Sequence, residues 1–64
     1  MALSGLTNTV LVVDDEAVIR ARLKGYFERE GYRVFEAGDG EQMWQQFEHQ
    51  HIDLLMLDIN LPGT

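Results

Sequence analysis

Cysteine is absent from the chain, so disulfides and thiolate metal sites are excluded and a reducing compartment is permitted. No apolar stretch approaches the ~20 residues needed to cross a bilayer. The opening Met1-Ala2-Leu3-Ser4-Gly5 has no basic region and no apolar segment behind it, so it does not read as a signal peptide. A cytoplasmic location is the expectation. Basic residues are scarce: five Lys and Arg stand against eleven Asp and Glu, a net charge of −6. That balance argues against this segment gripping nucleic acid itself. The 64 residues suffice for one small domain, whose core is marginal unless something else covers it. An apolar content of 45% argues against disorder.

What is present is an apolar run ending in an acid, twice. Val10-Leu11-Val12-Val13 leads into Asp14-Asp15, and Leu54-Leu55-Met56-Leu57 leads into Asp58. Short continuous runs of this kind read as strands of a parallel sheet. Ligands of open α/β sheets sit beyond the carboxyl ends of such strands. Acids at two strand ends therefore point to one acidic site.

Residues 1–8 read as a polar leader and residues 9–64 as the domain. A first strand is expected over residues 9–14, after which Asp15-Glu16 opens a helix as dipole-favoured or capping acids. Ile19, Leu23, Tyr26 and Phe27 form one apolar stripe, with Arg20, Arg22, Lys24 and Arg29 facing away. Gly31 reads as the C′ residue. A second strand over residues 32–37 is mixed, with Arg33 and Glu36 interrupting it. Asp39 and Gln42 have capping-box spacing ahead of a helix over residues 41–49. Met43, Trp44 and Phe47 on that helix read as core. A third strand over residues 53–57 and a Leu61-Pro62-Gly63 turn complete a β-α-β-α-β order.

Strand order decides whether the acids meet. Right-handed crossovers permit 1-2-3 or 2-1-3. The two apolar strands call for cover on both faces, whereas the mixed second strand suits an edge, which favours 2-1-3. Neighbouring strands lie about 4.8 Å apart, so Asp14, Asp15 and Asp58 then share one crevice. Two carboxylates about 5 Å apart repel by roughly 3 kcal/mol at an effective dielectric of 20. Either one retains a proton or a cation neutralises them. An all-oxygen cluster suits Mg²⁺, beside which an aspartate can attack phosphorus. Taken alone, each strand-end acid is more simply a helix cap; Asp58 and Asn60 on the third strand's exit reverse that balance.

These motifs, with Glu30-Gly31-Tyr32 and Asp39-Gly40, resemble the receiver domain of two-component response regulators over residues 9–63. The resemblance implies an α/β, truncated flavodoxin-like (CheY-like) parallel sheet, Mg²⁺ dependence, and phosphorylation by a partner sensor histidine kinase. It implies that Asp58 is the phospho-acceptor. Asp15 and Asp58 would ligate Mg²⁺ directly, Asp14 through water, and Asn60 through its backbone carbonyl. The stretch from Leu23 to Phe35 is most similar to regulators carrying a winged-helix DNA-binding domain, so DNA would be met only through a domain outside these residues. Receivers have five strands, with a Ser or Thr ending the fourth and a Lys ending the fifth. These residues are therefore expected to be the first half of one, and phosphorylation of this piece alone to be poor. In these residues alone the third strand would be an apolar, unpaired edge, to be covered by a second copy or by the other half of the receiver.

Other signals are weaker. His49 and His51 read as a solvated helix end, and Gly38-Asp39-Gly40 as a loop without the lysine of a phosphate cradle. Two rival functions remain at this point. A haloacid-dehalogenase-type phosphohydrolase also places an Asp after an apolar strand, but Asn60 stands where its second acid belongs. A receiver-like half could instead self-associate without phosphotransfer. A signalling acceptor, not an enzyme, is the expectation.

Overall fold

A computed structural model describes residues 8–58. Asn60, the Leu61-Pro62-Gly63 turn and all but the last residue of the leader lie outside the described residues. The elements are β1 (Thr9–Val13), α1 (Ala17–Arg29), β2 (Arg33–Ala37), α2 (Gly40–His49) and β3 (Leu54–Leu57). All strand pairs are parallel, in the order β2-β1-β3. Val13 is level with Ala37 on one side and Leu57 on the other.

The central strand is sealed. Val10, Leu11 and Val12 are 0% exposed, as a β-branched and leucine run paired on both edges and covered on both faces must be. Successive side chains alternate between faces. Leu11, Val13 and Ala37 pack with Met43 of α2 on one face. Glu36 points to the other and meets Arg20 of α1. The two helices therefore lie on opposite sides of the sheet, as right-handed crossovers in this order require. Where β1 and β3 begin, the Thr9 N–H donates to Asp53 Oδ2 at 2.8 Å and the Asp53 N–H to the Thr9 carbonyl at 2.9 Å.

Helix ends follow local chemistry. At the C-terminus of α1 the Gly31 N–H donates to the Glu28 carbonyl and the Tyr32 N–H to the Phe27 carbonyl. Gly31 takes φ +94°, and the Phe27 and Tyr32 rings meet edge-on at 5.5 Å. This is a complete Schellman motif with its hydrophobic contact. Asp39 caps α2 by accepting from the Gln42 N–H at 2.8 Å. The reciprocal half of the expected box is displaced: Gln42 Oε1 accepts from the Gly38 N–H, one residue before the cap.

Coverage differs from the sequence expectation on the two helices, whereas β3 follows it. Both helices lean on β1 and β2, and neither packs on β3. Leu54, Leu55 and Leu57 consequently remain 42%, 36% and 42% exposed, so β3 is the uncovered apolar edge expected of an interior-type strand in these residues alone. For the same reason Trp44 is 63% exposed, stacked at an angle on Phe47 and outside the core, where only Met43 of that trio is buried. On α1, Leu23 and Phe27 are half-buried but Ile19 and Tyr26 stay exposed.

Candidate metal centre

The sheet ladders continue one residue past the strands. The Asp14 N–H donates to the Ala37 carbonyl at 3.1 Å, and the Asp58 N–H donates to the Val13 carbonyl at 3.0 Å. Asp14 and Asp58 therefore leave adjacent strands side by side, and Asp15 follows Asp14 around the turn. One carboxylate oxygen from each of Asp14, Asp15 and Asp58 lies within 4.8 Å of the others. Asp14 and Asp58 are half-buried and Asp15 is exposed. Among the described residues, no other three His, Cys, Asp or Glu side chains converge in this way.

The helix-capping role expected of these acids is not what they perform: none makes a side-chain cap bond to α1 and no acid lies in its first turn. Asp14 Oδ1 accepts from the Glu16 N–H at 2.9 Å, closing an Asx-type turn that launches α1. Glu16 occupies the N-cap position without a side-chain cap bond. Asp14 thus combines a turn role with membership of the cluster. A depression of about 150 Å³ opens beside the acids, lined by Val13, Asp14, Leu23, Met56, Leu57 and Asp58.

The donor set fits a hard divalent cation. It is all oxygen and anionic, with no nitrogen or sulfur ligand, which suits Mg²⁺ over zinc or copper. Ligand oxygens of octahedral Mg²⁺ lie about 3–4 Å apart, so a small side-chain rotation or one bridging water brings this cluster onto a single ion. Asn60 lies outside the described residues.

Arg20 corrects a further expectation from the sequence. It does not face away from the core. Its Nη1 donates to the Asp14 backbone carbonyl at 2.7 Å, and its Nε donates to Glu36 Oε1 at 3.4 Å. The signal was available: Arg20 lies three and seven residues before Leu23 and Phe27, on the inward stripe, and Glu36 interrupts β2 on the face that receives it.

A parallel sheet ordered 2-1-3 with acids at two adjacent strand ends defines a truncated α/β domain of the flavodoxin-like type. The family described as response regulator receiver domain matches residues 10–64, and the chain belongs to it. Among similar proteins, the aerobic respiration control protein ArcA of Escherichia coli (strain K12) is 53% identical over 57 residues, covering 89% of this chain and 24% of that protein. The transcriptional regulatory protein ResD of Bacillus subtilis (strain 168) is 46% identical over 55 residues, covering 86% of this chain and 23% of that protein. The chain thus spans about a quarter of the length of these relatives. The chemotaxis response regulator CheY4 of Vibrio cholerae superposes with a TM-score of 0.87 at 29% identity, over 92% of this chain and 49% of that one.

Proposed function

We propose that Asp58 accepts a phosphoryl group from a phosphohistidine of a partner sensor kinase, with Mg²⁺ held by Asp14, Asp15, Asp58 and the backbone carbonyl of Asn60. The observation that carries this reading is the convergence of three carboxylates at two adjacent strand ends. In the transfer, a carboxylate oxygen of Asp58 forms a bond to phosphorus. The P–N bond breaks, and its electron pair returns to the imidazole. Bound Mg²⁺ would supply charge neutralisation for two approaching anions and for the transferring group. Asp15 would hold the ion directly and Asp14 through water, and the backbone of Asp58, tied to Val13, aims the nucleophile. The group is transferred once per event, so the chain is a signalling acceptor and not a turnover enzyme. Output on transcription would run through a domain outside these residues, which fits the acidic balance of the segment. No helix among the described residues is long and apolar enough to cross a membrane.

Incubation with an acyl phosphate and Mg²⁺, followed by mass mapping, tests the acceptor. A low-level phosphoryl increment on the Asp58 peptide is expected, because these residues lack the Ser or Thr and the Lys with which receivers hold the group, and it should be lost in Asp58→Asn and on chelation. Labelling that persists in Asp58→Asn, or that ignores chelation, overturns the assignment.

A further inference from the structure

Arg20 joins three pieces of backbone at the acidic end of the sheet. It belongs to α1, it holds the Asp14 carbonyl at 2.7 Å, and it reaches Glu36 on β2 at 3.4 Å. Its guanidinium also lies against the β2–α2 loop: a Cβ built on Gly38 would sit 3.3 Å from Arg20 Nη1 and 3.4 Å from Gln42 Oε1. Gly38 is therefore the residue that leaves room for this guanidinium. Asp14 is consequently held at several points: its N–H by Ala37, its carbonyl by Arg20, and its Oδ1 by the Glu16 N–H.

We propose that Arg20 is a positioning residue for the carboxylate cluster, locking the β1–α1 turn so that Asp14 and Asp15 meet Asp58 at metal-binding range. This rests on the metal-assisted reading above. Partners behind metal ligands commonly change affinity by 10–100-fold when removed. The fixed fork of a guanidinium suits the role, because one group must reach a carbonyl and a carboxylate in different directions. Lysine carries its three donors on one nitrogen and cannot reproduce contacts made from two separate nitrogens, Nη1 and Nε.

A positioning role and a charge effect predict opposite signs. Arg20 places a cation beside an anionic cluster, so electrostatics alone makes its neutral replacement bind Mg²⁺ more tightly. Loss of positioning makes binding weaker. The test is Mg²⁺ titration of the chain, read on the amide signals of the folded form, for the parent, Arg20→Gln, Arg20→Lys and Gly38→Ala. Urea unfolding without metal is run alongside. Affinity is expected to fall about tenfold in Arg20→Gln and Arg20→Lys. Gly38→Ala keeps every charge and crowds the guanidinium, and a loss in the same direction is expected. Arg20→Gln that binds Mg²⁺ as well as the parent or better overturns the proposal. So do variants that lower stability while leaving the affinity of the folded form unchanged. If the parent itself binds no Mg²⁺ and Asp58→Asn has the same spectrum with or without the ion, the metal reading fails and the role of Arg20 with it.

Discussion

The Asp58 amide donates to the Val13 carbonyl at 3.0 Å, one step beyond the last paired residues of β3 and β1. That single bond sets Asp58 level with Asp14 and turns two distant acids into neighbours. It has a cost, because the carboxylates of Asp14, Asp15 and Asp58 lie within 4.8 Å of one another.

Relief of that repulsion should be measurable. Without divalent metal, Asp15→Asn is expected to stabilise the chain by about 1 kcal/mol, since an exposed pair at this range interacts through mostly aqueous dielectric. With millimolar Mg²⁺ the order should reverse, because the parent gains more from binding. Urea midpoints under both conditions check this, and an identical shift under both would contradict it.

The sealed central strand makes a second case. Leu11 is 0% exposed and packs with Val13, Ala37 and Met43. Leu11→Ala should cost about 2–5 kcal/mol. In a domain this small that loss should abolish cooperative unfolding by circular dichroism or bring its midpoint close to zero denaturant.

Gly31 isolates backbone strain from packing. Its φ is +94°, and a Cβ there would meet nothing within 4 Å. Gly31→Ala should therefore destabilise by about 1–2 kcal/mol from conformation alone. Gly31→Asn should cost less, which chemical denaturation of the two variants would show.

The uncovered edge strand predicts self-association. Leu54, Leu55 and Leu57 expose apolar surface on a strand whose outer edge has no partner among the described residues. Weight-average mass by sedimentation is expected to rise with concentration and to fall back in Leu55→Lys. A mass equal to one chain at all concentrations would count against it.

Local chemistry made much of the molecule readable. Gly31 after a basic last turn marked the end of α1, Asp39 marked the start of α2, and the run from Val10 to Val13 marked a strand buried on both faces. Such signals work because each depends on a few neighbouring residues and on backbone conformations that few residue types permit. Misreadings arose where the answer depended on what lies opposite. Trp44 has the composition of a core residue, yet α2 leans on β1 and β2 and leaves it 63% exposed. Arg20 has the composition of a surface residue, yet a carbonyl and a carboxylate from two strands draw it inward.

From the order of residues alone came the element sequence, the end of α1 at Gly31, the cap of α2 at Asp39, and two strand-end acid groups separated by more than forty positions. Strand pairing followed only as an inference from which strand could tolerate an edge. The parallel register of β1 with β3, and the guanidinium that ties down the turn between β1 and α1, are tertiary facts. They arise from hydrogen bonds between segments remote in the chain, whose partners no local propensity specifies, and they bring three acids into one cluster.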